Sequence, residues 1–128
     1  MGLRTPLAQA RGLGSAKTGV EHWWAQRWTA LALIPLVLWF VISVVAHVGA
    51  SHSEMVAWVG HPVTAVLLVL LIAAVFHHGQ LGLQVVVEDY VPNETLKLES
   101  ILGLKGGAIV LSVAGVLAVL RIAFGGAG

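Results

Sequence analysis

Two adjacent histidines, His77 and His78, stand in the stretch FHHGQLGLQVVVEDY that runs from Phe76 to Tyr90 and closes on an Asp-Tyr pair. An imidazole can ligate a metal, relay a proton or bond to a carbonyl of a neighbouring helix. Polar groups at bilayer depth are costly and are normally kept out, so His77, His78, Gln80 and Gln84 in one apolar segment mark a functional site. Helical periodicity sorts them. The eleven steps from His78 to Asp89 make about three turns, or roughly 16 Å along the axis. His78, Gly82 and Asp89 therefore share a face, whereas His77 lies about 100° round the helix. Gly82 has no side chain, which opens the backbone to something flat and large one turn from His78. Asp89 and Tyr90 fall where the helix should leave the hydrocarbon.

The elements that carry these residues follow from composition. The chain has 128 residues, 58% hydrophobic and only 10% charged, with a net charge of +1 and a mean hydropathy of +0.91. Such a balance excludes an ordinary soluble domain and indicates membrane spans in one domain, residues 1–128. The seven Lys and Arg residues are scattered, so no basic patch suits nucleic acid. The absence of cysteine excludes disulfides, thiolate-held iron–sulfur clusters and covalent attachment of a c-type haem.

The fold class expected is all-α, with three transmembrane helices at about 28–50, 63–87 and 101–124, each near the ~20 residues needed to cross. Residues 1–27 read as a cytoplasmic tail and interfacial segment, not a secretory signal, because no apolar run starts before Trp28. A transit peptide is the minor alternative, since the segment is basic and acid-poor. Trp23, Trp24 and Trp28 form an aromatic belt. Pro35 should bend the first span or be absorbed by a neighbour. Ser51 to His61 reads as a short polar loop without Lys or Arg, whereas Arg4, Arg11, Lys17 and Arg27 precede the first span. The positive-inside rule then puts the N-terminus in the cytoplasm and the C-terminus outside. Pro92 should end the second span, and Asn93 should cap a short surface helix. Lys105 can snorkel to the inner headgroups. The pairs Gly103/Gly107 and Ala108/Ser112 suit close helix contact.

The His-x10-Asp-Tyr pattern, His78 to Asp89-Tyr90, resembles the signature of the small hydrophobic anchor subunit (SdhD type) of succinate:quinone oxidoreductase, respiratory complex II. Further stretches are similar to its alphaproteobacterial members: GLGSAK at 12–17, Arg-x-Thr-Ala at Arg27 to Ala30, LGLQVVVEDYV up to Val91, and LAVLRIAF at 117–124. The resemblance covers nearly the whole chain. It implies half of a heterodimeric haem-binding bundle in the bacterial inner membrane. His78 would be an axial ligand to the iron of a b-type haem, Gly82 would pack against that haem, and Arg27 would clamp its propionate. Tyr90 would donate a hydrogen bond to ubiquinone, with Asp89 beside it. FAD and iron–sulfur clusters would belong to partner subunits, a flavoprotein and an iron–sulfur protein that oxidise succinate.

A six-coordinate b-type haem needs a second axial ligand on its opposite face. Within this chain His47 is the other deep histidine, but it lies near the opposite end of its span, so the depths differ by roughly 15 Å. The second ligand is therefore expected from a second membrane anchor subunit (SdhC type). His77 is better read as bonded to another helix or to water, and His47 as a helix-end residue. Other readings are a quinol:fumarate reductase anchor, a homodimeric membrane cytochrome, and a haem-free proton relay through His77 and His78.

Overall fold

The computed structural model describes residues 13–125, with side chains from Gly19 onward. Arg4 and Arg11 of the basic tail lie outside the described residues. Among the described residues four helices follow one another: α1, Leu13–Ala46; α2, His52–Gly60; α3, Pro62–Tyr90; and α4, Glu94–Gly125. Among the described residues α1, α3 and α4 are long and apolar enough to cross a membrane. The chain is thus a multi-pass, all-α membrane protein.

The joints explain where each helix starts. Gly49 takes φ +84°, a conformation open to glycine at little steric cost, and turns the chain after α1. The Ser51 hydroxyl then accepts from the Glu54 amide at 3.3 Å, and the Glu54 carboxylate accepts from the Ser51 amide at 2.6 Å. This reciprocal pair starts α2. The expected polar loop at Ser51 to His61 is thus mostly helix, because Ser51 and Glu54 supply its cap while Met55, Val56, Trp58 and Val59 give it an apolar side. At His61 the ring accepts from the Val63 amide at 3.2 Å, and Pro62 occupies the first turn of α3, where its missing N–H is harmless.

Pro92 separates α3 from α4, as expected. Asn93 Oδ1 accepts from the Leu96 amide at 3.0 Å. The helix it caps is not a short surface segment, however. It runs without interruption into the third span, since nothing between Glu94 and Ile101 breaks a helix. The first helix likewise begins well before the aromatic belt, at Leu13, and continues through Pro35 to Ala46.

The middle span, α3, packs against both α1 and α4, while α2 lies across α3 and α4. The core is small and sits at the α2 end: Ala65, Leu68 and Val119, with Trp39, Phe40, Trp58 and Ile72 against them. Trp39 and Trp58 stack at 6.1 Å. Close approach of α3 and α4 occurs at Gly115, where an added Cβ would meet Ile72 at 3.3 Å. The expected contact at Gly103 and Gly107 is not formed within this chain, for both face open space. The most apolar window of α1 is 0% buried, so the outward side of this helix is left for lipid or another chain.

Candidate functional site

His78 lies midway along α3 on the side facing α1. Its Nδ1 is 3.0 Å from the Thr29 hydroxyl oxygen. That hydroxyl lies 2.7 Å from the carbonyl of Ala25 and 3.0 Å from that of Gln26. A carbonyl can only accept, so the single Thr29 hydrogen goes back along its own helix. In the tautomer with its proton on Nδ1, the ring donates to the Thr29 oxygen and carries its lone pair on Nε2, which has no hydrogen-bond partner among the described residues. A hydroxyl or carbonyl bonded to the other ring nitrogen in this way sets the tautomer and orientation of metal-binding histidines.

Beside the ring is a shallow apolar groove of about 420 Å³, bordered by His78 and by Ala30, Leu33, Ile34, Val37 and Leu38 of α1. Its walls hold no charge. Gly82 lies one turn further on, where an added Cβ would stand 3.7 Å from the Gln26 amide nitrogen. Gln26 Oε1 is buried without a partner. The imidazole borders this shallow open surface, and the Gln26 amide packs over Gly82 one turn away. Such a surface fits a planar apolar macrocycle ligated by Nε2, but a single imidazole closes only one face of it.

Arg27 and the Asp-Tyr pair are less enclosed. The guanidinium of Arg27 lies over the Trp23 ring, 5.2 Å from its centroid, a cation–π contact. Arg27 makes no ion pair with Asp89; among the described residues the ion pair present is Lys97–Glu94 at 3.4 Å. Tyr90 is the last residue of α3 and is 80% exposed. Its phenol meets no partner among the described residues and is free to donate to a molecule outside this chain.

His77 and His47, the other histidines singled out in the sequence, go elsewhere. His77 faces a separate cavity bounded by all three long helices. His47 follows the end of α1, with Nδ1 2.7 Å from the Ser43 carbonyl and its ring 4.9 Å from that of Trp58. It belongs to the α2 end of the molecule, remote in depth from His78. Thr29 and Gln26 escaped the sequence reading. The available signal was a hydroxyl and an amide in the first turns of a span that is otherwise apolar.

The family described as succinate dehydrogenase/fumarate reductase transmembrane subunit matches residues 1–120 of the chain. The succinate dehydrogenase hydrophobic membrane anchor subunit of Paracoccus denitrificans is 33% identical over 121 residues, covering 94% of this chain and 93% of that protein. The protein of the same description from Rickettsia bellii is 31% identical over 116 residues, covering 91% and 93%. A more distant relative, the succinate dehydrogenase membrane anchor subunit of Reclinomonas americana, is 27% identical over 88 residues, covering 66% and 73%. No solved structure matches the chain significantly. The match along nearly the whole length, on a chain of three apolar spans, shows that it belongs to the succinate dehydrogenase/fumarate reductase transmembrane subunit family, among the membrane anchor subunits of succinate dehydrogenase.

Proposed function

We propose that this anchor supplies one axial ligand, His78, to a b-type haem shared with a second membrane anchor subunit, and that it forms part of a ubiquinone-reduction site through Tyr90 and Asp89. The single observation that carries the reading is the bond between His78 Nδ1 and Thr29 at 3.0 Å, which leaves Nε2 as the free base beside an apolar groove. The chemistry of the donor set fits. An imidazole suits iron, and the apolar walls of the groove would suit the apolar macrocycle of a haem. When bound, the haem supplies one-electron transfer.

The rest is done by the chain's own residues. Thr29 holds the His78 ring against rotation. Gly82, with no side chain, would let the haem edge pack one turn away beside the Gln26 amide. Arg27 offers a propionate its planar fork of donors, with Trp23 steadying the guanidinium from below. At the helix end, a quinone gaining two electrons and two protons becomes more negative at its carbonyl oxygens. The exposed Tyr90 hydroxyl can donate to one of them as that charge grows, and the Asp89 carboxylate beside it can pass on a proton.

The second axial ligand, the flavoprotein and the iron–sulfur protein belong to partner subunits. The outward face of α1, open beside His78, is where the second anchor would close the haem site. The spread of Lys and Arg supports an N-terminus in the cytoplasm and a C-terminus in the periplasm of a bacterial inner membrane. The test is a reduced-minus-oxidised spectrum of the complex purified in mild detergent. Expected are b-type bands and succinate:ubiquinone activity, with the bands lost in His78→Ala and kept in His77→Ala. A colourless wild-type complex, or bands that survive His78→Ala, would overturn the assignment.

A further inference from the structure

Away from His78, the three long helices border an open cavity of about 600 Å³ that none of the roles above uses. Its walls change character with depth. At the mouth stand Glu21 of α1 and Lys105 of α4, charges of opposite sign. Next come His22, Gln84, Gln80 and His77, all hydrogen-bonding side chains. Deepest are Phe76, Ala73 and Ile109, with the Ser112 hydroxyl able to bond its own helix backbone. From Gln84 to Ala73 the descent is about 16 Å along α3.

The polar band is laid out in advance. Gln80 Nε2 donates to Gln84 Oε1 at 2.7 Å, and Gln84 Nε2 donates to Glu88 Oε1 at 2.9 Å. Each amide thus keeps a second N–H. His22 Nε2 is buried with no partner, an expensive state for a polar atom inside a protein. Among the described residues Lys105 has no carboxylate within salt-bridge distance. A cation, a row of donors and an apolar floor, in that order from the membrane surface inward, match the phosphate, ester and acyl levels of a glycerophospholipid.

We infer that this cavity is a binding site for one amine-bearing zwitterionic phospholipid. Its phosphate pairs with Lys105, its ammonium pairs with Glu21, and its ester carbonyls accept from the Gln80 and Gln84 amides. The opposed charges at the mouth favour a headgroup of zero net charge over an anionic one. A quinone would find the donors but would leave Glu21 without a cation. The site does not depend on the haem or quinone reading, since neither His78 nor Tyr90 lines it.

The experiment uses the whole purified complex, stripped of loosely held lipid and incubated in micelles with phosphatidylethanolamine, phosphatidylcholine or phosphatidylglycerol. Bound lipid is counted by native mass spectrometry. Expected is one retained phosphatidylethanolamine per anchor chain, held roughly tenfold better than either competitor. Lys105→Gln should lower its retention by about tenfold, and Glu21→Gln should abolish the preference over phosphatidylglycerol. Gln84→Leu, a second lesion in the polar band, should lower retention likewise, and an unaltered thermal midpoint of the complex certifies the fold in each variant. Equal retention of all three lipids, a preference for phosphatidylglycerol, retention unchanged in Lys105→Gln, or a copurifying quinone lost in that variant would each overturn the proposal. Loss of the haem assignment through the His78 variants would leave it standing.

Discussion

At His78 the two ring nitrogens have different surroundings, and that difference is the source of the sharpest residue-scale predictions. Thr29→Val keeps the shape of the side chain and removes the acceptor for Nδ1–H. Losing the partner that orients a metal-binding imidazole weakens metal binding by about 10–100-fold. The variant complex should therefore release haem more readily and show a shifted midpoint potential, read by redox titration, while His77→Ala changes neither. Tyr90→Phe keeps the ring of an exposed residue and removes its donor. Removing one such donor to a developing oxyanion can reduce turnover by about 100-fold. Quinone reduction should fall steeply with the haem spectrum unaltered, and normal ubiquinone turnover would count against Tyr90 as the donor.

Helices here are set by short signals at their ends, so element-scale predictions concern caps and contacts. The reciprocal bonds of Ser51 and Glu54 hold the Glu54 carboxyl below the usual carboxylate range, chiefly through the Ser51 amide and then its hydroxyl. The ionised form is the one that caps. Its contribution is present above the pKa of the unfolded chain and is lost as pH falls through the lowered folded value. Acidification should thus fray α2 before the spans, seen as faster amide exchange from Met55 to Gly60. Ser51→Ala should do the same at neutral pH, weakening α2 by about 1 kcal/mol. At Gly115, where a Cβ already meets Ile72 at 3.3 Å, Gly115→Leu should overpack the α3–α4 contact by about 1–3 kcal/mol and lower the thermal midpoint of the detergent-solubilised complex.

The molecule as a whole is an open arrangement in which α3 is gripped from two sides while α1 keeps its apolar face outward. A chain expressed without its partner subunits should insert in the membrane yet show no six-coordinate b-type spectrum; one that retains such a haem alone would favour a homodimer. Much of this was legible in the linear chain. Three runs of apolar residues could only be spans, because unsatisfied backbone in lipid leaves little else than helices. The 3.6-residue period alone put His78, Gly82 and Asp89 on one face and His77 on another. Helix α2 was legible too, in the Ser51-x-x-Glu54 signature, but its nine residues are too few to stand out against spans three times longer. The pairing of His78 with Thr29, 49 positions apart, could not be read, since it depends on how far α1 is slid along α3. For the same reason the contact at Gly115, and not at Gly103 and Gly107, and the polar cavity joining Glu21, Gln84 and Lys105 were decided only when the helices packed. Periodicity specifies what each helix presents, and the register between helices specifies what it meets.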